Sequence, residues 1–353
     1  MSAAPSTAPS SAPSTAPSSA PSAAPITAPS AAPSTAASGV LLVDKPPGIT
    51  SHDAVARTRK LIGTRKVGHA GTLDPMATGL LVLGVNSSTR LLTWIVGLDK
   101  EYTATIRLGA ASSTDDADGE LTSRASPAAL AAVSESAILA AAAALTGDIE
   151  QRPSTVSAIK VAGERSYTLA REGRAAPLAA RPVTVAAFDV LGVRHITDTD
   201  GAWIDVRVRV ECSTGTYIRA LARDVGESLG VGGHLTALRR TRIGPFSLDS
   251  AHPLGDSPAG ALLADALIDP ADVARQLFPT VTVDAQQATD LTHGKRIAID
   301  PDAVTGFPHK PAEPNTPTPI AVIGPDQRLI GLVELVDGRA RVLVNFPTDG
   351  VLA

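Results

Sequence analysis

Twelve residues, Gly68 to Gly79, read GHAGTLDPMATG and constrain the fold of this chain more than any other stretch. Glycines at 68, 71 and 79 let backbone approach backbone or ligand closely, and Pro75 stiffens the turn that presents Asp74. The loop runs straight into the apolar LLVLGV at 80–85, which reads as a buried strand. Asp74 is the only acid between Asp53 and Asp99. A lone carboxylate on a stiff turn among small residues reads as a nucleophile or base, not as a solvated charge.

The 353 residues are 44% hydrophobic, enough for one sizeable core and a smaller second domain. No apolar run approaches the roughly 18 residues of a membrane helix, and the opening lacks the basic stretch and apolar core of a secretory signal. Cys212 is the only cysteine, which excludes an intrachain disulfide and a cysteine-cluster zinc site and fits a reducing cytoplasm. The net charge of -4 hides local basic patches. RTRKLIGTRK (57–66) carries five bases and no acid; Arg239, Arg240 and Arg242 form a second cluster. Arg152, Lys160, Arg165, Arg171, Arg174 and Arg181 form a looser third. Such patches grip phosphates whatever the total charge, and solvated helix faces are the competing reading.

Residues 1–38 are built almost entirely of Ala, Pro, Ser and Thr, Met1 and Ile26 being the exceptions, with proline at every fourth position from Pro5 to Pro33. That period forbids a helix and the segment has too little apolar surface to order itself, so a disordered tail is expected. The catalytic part is expected over 39–275. It begins with a strand at Gly39, then a helix capped by Thr50 or Ser51 and running to Ile62. Another helix is expected over 89–96 and a period-2 strand in EYTATIRLG. The acidic turn DDADG (115–119) precedes an alanine-rich helical region. VSAIKV (156–161) reads as a strand, YTLAREG as a short helix, and two β-runs (182–193, 202–212) lead to a helix over 217–229. Without βαβ repetition this favours α+β. Residues 255–275 read as a connector. Over 276–353, VTVD, KRIAID, IAVIGPD, LIGLVEL and RVLVNFP suggest a small β-barrel or sandwich, with 308–319 as a loop.

GHAGTLDPMATG, with LLVDKPPGITSHDAV, QRPSTVSAIKVAGERSYTLAREG, CSTGTYIRALARDVGESLG and HLTALRRTRIGPF, closely resembles the TruB-type tRNA pseudouridine synthases, in the family's order over residues 39–247. The resemblance implies a pseudouridine synthase domain with a mixed, largely antiparallel sheet and a C-terminal PUA-like RNA-binding β-barrel. It also implies conversion of uridine 55 in the tRNA T-loop to pseudouridine by a monomer needing no protein partner. That isomerisation breaks the bond from the sugar to ring nitrogen 1, turns the base in place and rejoins it through carbon 5. Neither a redox change nor an external group enters, so no cofactor or metal is needed.

By position in the family motif Asp74 is the catalytic carboxylate, acting at sugar carbon 1, at ring carbon 6, or on a sugar proton. In a water-excluding site burial raises its pKa, so a cation must stand beside it. Arg219 matches the family arginine that pairs with it. Tyr102 matches the tyrosine that stacks on the target base, Tyr217 a pocket tyrosine and Leu238 an apolar wall. A uridine held inside the loop must be flipped out, and His69 matches the histidine that fills the vacancy. Lys45 opens the first motif and shapes the pocket; Lys160, Arg239 and Arg240 are expected on RNA backbone phosphates. STVSAIK departs from the family pattern, in which an aromatic residue often precedes Ser-Ala, so stacking there is expected to be absent.

Three other readings compete. A guide-RNA-directed synthase of the same fold would work inside a ribonucleoprotein. A non-catalytic RNA-folding protein would have no need of Asp74 with Arg219. A glycoside hydrolase places two carboxylates across the bond, and no second acid lies within the motif.

Overall fold

The structure is a computed structural model that describes residues 38–155, 178–199, 201–254, 265–306 and 318–346, with two short strands at Lys160–Val161 and Glu164–Arg165. The expected tail, most of VSAIKV, all of YTLAREG, the side chain of Lys160 and much of the 308–319 loop lie outside the described residues.

The strands are β1 (Gly39–Lys45), β2 (Val67–Ala70), β3 (Thr78–Val85), β4 (Lys100–Leu108), β5 (Ala110–Ser112), β6 (Leu121–Arg124), β7 (Gly147–Gln151), β8 (Lys160–Val161), β9 (Glu164–Arg165), β10 (Arg181–Asp198), β11 (Gly201–Cys212), β12 (Gly233–Ile243), β13 (Phe246–Ser247), β14 (His252–Pro253), β15 (Thr280–Thr282), β16 (Ile320–Ile323), β17 (Leu329–Val336) and β18 (Arg339–Asn345). The helices are α1 (Ser51–Ile62), α2 (Leu92–Val96), α3 (Pro127–Ala131), α4 (Glu135–Ala144), α5 (Ile218–Ser228), α6 (Pro270–Leu277) and α7 (Ala285–Thr292). One large sheet runs in the order β14-β1-β3-β12-β4-β11-β10-β7, with β2 on β3 and β13 on β12. Only β1–β14 and β3–β12 pair in parallel within it, so the sheet is mixed and mostly antiparallel and the architecture is α+β.

Local chemistry explains the elements that frame the site. Thr50 caps α1 through a reciprocal capping box with Asp53, and Gly63 ends it in the left-handed conformation. The apolar runs of β1 and β3 are buried on both faces. Leu41, Val43, Leu81 and Leu83 pack with α1, whereas Val40, Leu42, Leu80 and Val82 pack with α6 and with the C-terminal strands. β4 alternates buried and half-buried residues, its buried set facing α4 and α5.

The two halves of the sheet meet at a narrow seam. β3 and β12 pair only through Thr78 with Arg239 and Gly79 with Arg240. Gly79 has φ +100°, and a Cβ there would stand 2.3 Å from the Arg240 carbonyl oxygen. No other residue tolerates both the dihedral and the approach. Side chains also cross the seam: Arg239 forks onto Asp44, and Arg240 donates to the carbonyls of Leu80 and Gly71.

At the C-terminal end β15, β16, β17 and β18 pair as an open path around their own apolar cluster. The described strands therefore do not close a barrel. KRIAID, expected as a strand, makes a single bridge between Ala298 and Arg339. Its Ile297 and Ile299 are buried as their alternation implies, but no neighbour extends the ladder.

Candidate active site

Asp74 lies in the loop between β2 and β3, and three neighbours fix that loop. Ser51 exchanges bonds with both the amide and the carbonyl of Leu73, at 2.8 and 3.1 Å. The Gly48 amide donates to the Pro75 carbonyl at 2.9 Å. Lys45, fully buried, donates its ammonium to the carbonyls of Ile49, Pro46 and Pro75 at 2.8, 3.0 and 3.3 Å. Burial lowers the Lys45 pKa to about 8 against the pull of Asp74. Three carbonyl acceptors match the three donors of an ammonium. Lys45 does not line the cavity; it holds up the turn that presents the carboxylate.

The cavity, about 250 Å³, is lined by Gly71–Asp74, Lys100, Tyr102, Ser213–Arg219, Leu238 and Arg240, among others. Arg219, on the first turn of α5, places its Nε 3.0 Å from Asp74 Oδ2. The guanidinium is nearly inaccessible while the Asp74 side chain keeps 37% of its surface open. Burial pushes the Asp74 carboxyl up; Arg219 pulls it down, and Asp116 pushes it up again.

Asp116 was not singled out by the sequence and is the chief addition. Its Oδ2 lies 3.2 Å from Arg219 Nη1, both side chains being about 5% exposed. The same Nη1 donates to the Thr114 carbonyl at 2.9 Å. One guanidinium therefore bridges two carboxylates, one facing the cavity and one behind. The turn that brings Asp116 in contains Asp115 at φ +60°, a left-handed conformation costly for a residue with a side chain. That strain is held by Arg223, which reaches Asp115, and by a bridge from Asp116 to Leu235 on β12. Nothing local in DDADG marks which of its acids turns inward.

Tyr102 is buried in the cavity wall, cross-strand from Arg240. Burial raises the phenol's pKa, with Arg240 opposing, so the ring presents a neutral hydroxyl. Tyr217 and Leu238 line the same cavity. His69 does not line it; it sits on β2, its ring edge-to-face with His52 at 5.4 Å. Burial lowers the His69 pKa, and His52 and Arg240 lower it further, which favours a neutral ring.

The three arginines expected as one basic cluster go separate ways. Arg240 is 1% exposed, its guanidinium given to two carbonyls beside Tyr102, so it walls the cavity rather than meeting RNA backbone outside it. Arg239, on the opposite face of the strand, is half exposed and forked onto Asp44. Arg242 pairs with Glu211. The patch at 57–66 is different: Arg59, Lys60, Arg65 and Lys66 are exposed along the end of α1 and the turn into β2. Among the described residues no group of acidic, histidine or cysteine side chains could hold a metal ion. Nor is any helix there long and apolar enough to cross a membrane.

The mixed sheet with its flanking helices is a pseudouridine synthase fold. A solved structure described as a complex of Cbf5, Nop10 and Gar1 contains a chain 26% identical, with a TM-score of 0.64, covering 88% of this chain and 85% of that one. A second, an H/ACA ribonucleoprotein bound to a substrate RNA containing 2'-deoxyuridine, shares the fold at 24% identity and TM-score 0.64, over 88% of this chain and 86% of that one. Residues 59–218 match the TruB family pseudouridylate synthase N-terminal domain, 219–276 the tRNA pseudouridylate synthase B C-terminal domain, and 278–347 the tRNA pseudouridine synthase II C-terminal model. The tRNA pseudouridine synthase B of Leifsonia xyli is 56% identical over 314 residues, 89% of this chain and 98% of that one. That of an Arthrobacter strain is 54% identical over 315 residues, 88% of this chain and 98% of that one. The chain belongs to the TruB family of pseudouridine synthases.

Proposed function

We propose that the protein isomerises uridine 55 in the T-loop of tRNA to pseudouridine, with Asp74 as the reacting carboxylate. The observation that carries this reading is the Asp74 carboxylate on the rim of a nucleobase-sized cavity, 3.0 Å from the buried Arg219 guanidinium. The arginine keeps the acid ionised against the cost of burial. Tyr102 and Leu238 offer a flat and an apolar surface between which a free uracil turns while the cavity retains it. Asp116 stands behind Arg219 and does not line the cavity, so among the described residues no second carboxylate faces the first across a bond. That argues against a glycoside hydrolase.

The uridine reaches Asp74 only if it is flipped from the loop, and His69, neutral on β2 beside the Asp74 loop, is the ring we assign to the space it leaves. The exposed bases of the 57–66 patch lead into β2 and hence to His69, and they supply phosphate contacts there. We assign the C-terminal strands a PUA-like role in gripping RNA. Ala321, Ile323, Leu329 and Leu332 on one face of those strands pack with Val40, Leu42, Leu80 and Val82 of β1 and β3, so cutting the chain near Leu277 would strip cover from the catalytic sheet. Point substitutions of surface bases test that role more cleanly. Catalysis needs no cofactor or metal, and we take the protein to act in the cytoplasm as a monomer on the T-arm of tRNA.

The test uses purified protein and unmodified tRNA with no other component. Chemical mapping should show one new pseudouridine, at position 55, and tritium should be released from uridine labelled at carbon 5. Activity that appears only when a guide RNA or partner protein is added would replace this reading with the ribonucleoprotein one. RNA affinity should fall by about 10- to 100-fold between 50 and 200 mM salt, the slope following the few phosphates contacted. Affinity flat across that range would remove the assigned patch.

A further inference from the structure

Gln151 ends β7 with 2% of its surface exposed. Its side-chain amide closes a ring with the backbone of one residue: Oε1 accepts from the Tyr217 N–H at 2.8 Å, and Nε2 donates to the Tyr217 carbonyl at 3.0 Å. A glutamine here imitates the partner strand of a β-bridge. Tyr217 is the N-cap of α5, with extended dihedrals and no side-chain cap bond of its own. Its carbonyl therefore accepts twice, from Gln151 and from the Leu221 amide that opens the helix.

The contact sets where α5 starts. Two residues on, Arg219 must span Asp74 and Asp116 at once, at 3.0 and 3.2 Å. The next residue after Gln151 is tied to the same helix, because Arg223 Nη2 donates to the Arg152 carbonyl at 2.8 Å. β7 is itself anchored by pairing with β10, Gln151 opposite Arg181. The end of one strand thus holds the N-terminal half of α5 at two points, Tyr217 and Arg223.

We propose that Gln151 is a positioning residue for the isomerisation, locking the backbone at Tyr217 so that the Tyr217 ring and the Arg219 guanidinium stand where the reaction needs them. The inference rests on the reaction proposed above. Its effect should fall on the chemical step, since a displacement of about 1 Å in an assembled site costs up to roughly 100-fold in rate.

The experiment compares full-length wild type, Gln151→Glu and Gln151→Leu by single-turnover tritium release, RNA affinity and thermal melting across pH. Both variants should lose about 10- to 100-fold in single-turnover rate, with RNA affinity changed less than about threefold. The carboxylate introduced by Gln151→Glu cannot donate to the Tyr217 carbonyl, but its protonated form can, while its other oxygen still accepts from the amide. The rate of Gln151→Glu relative to wild type should therefore climb as pH is lowered, while that of Gln151→Leu stays flat. A role in stability alone would move the melting temperature of both variants and leave that relative rate independent of pH. That result, or rates within twofold of wild type, would overturn the proposal. Gln151→Glu keeps shape and volume and carries the test should Gln151→Leu not fold. An inactive wild type would instead overturn the reaction assigned above.

Discussion

Replacing Asp74 with Asn should lower pseudouridine formation by at least about 10⁴-fold, the scale on which removing a group that reacts with substrate is felt. Folding should hardly notice. The amide keeps the shape of the carboxyl and can still accept from Arg219, which retains Asp116 behind it. Melting within a few degrees of wild type, together with unchanged RNA affinity, separates a lost reactant from a lost structure. Retention of a tenth of the wild-type rate would end the assignment of Asp74.

The pH profile of the wild type carries the same chemistry. Burial raises the Asp74 pKa above the ordinary carboxylate value, with Arg219 limiting the rise. The reaction needs the ionised form, so the rate should fall on acidification through a pKa above that ordinary value. Stability moves in the opposite sense. Between the ordinary and the raised pKa the folded state binds the proton and the unfolded chain does not, so this group's contribution to stability falls as pH rises through that window. The stability difference between wild type and Asp74→Asn should fall with rising pH across that window while the wild-type rate climbs. An acid limb at or below the ordinary carboxylate value would contradict the burial described here.

Arg219→Met should behave differently from Asp74→Asn, losing both activity and stability. Without the guanidinium, Asp116 is left buried with no arginine opposite, and the Thr114 carbonyl loses a donor. Breaking the inner half of this pair should cost about 3 kcal/mol. The outer half, with Asp74 open to solvent on one side, adds little to that. Asp74 also loses the charge that holds its pKa down, so the remaining activity should shift to higher pH. Combining Arg219→Met with Asp116→Asn should recover much of the stability and none of the rate, a non-additivity measured by denaturant unfolding. Simple additivity of the two substitutions would mean that Asp116 and Arg219 are not energetically coupled.

What the sequence disclosed and what it hid follow from whether a short motif marks the side chain. Asp74, Tyr102, Tyr217, Arg219 and Leu238 could be named because each matches a position in the motifs of the family the chain resembles, and all five line one cavity. Asp116 and Gln151 stayed hidden because nothing in their local sequence marks which side chain turns inward, and only the completed sheet brings them to Arg219 and Tyr217. Arg239 and Arg240 were placed together as neighbours in a basic run. On a strand, neighbours face opposite sides, so one forks onto Asp44 at the surface and the other is buried against Tyr102. A register shift between Arg240 and Arg242 breaks the alternation again. The C-terminal segment shows the limit of pattern reading: KRIAID reads as a strand, yet among the described residues it makes only the bridge between Ala298 and Arg339.

The Asp74 loop belongs to one half of the sheet, whereas Tyr102, Arg219 and Leu238 belong to the other, and two residue pairs join β3 to β12 between them. The acid assigned to the reaction and its counter-ion are therefore held like the jaws of a caliper, their gap governed by twist at a single joint. Gly79 sets how tightly that joint closes, and the arginines at 239 and 240 act as its rivets. Damage at the joint would spread the jaws and silence the enzyme without touching any group that meets the base.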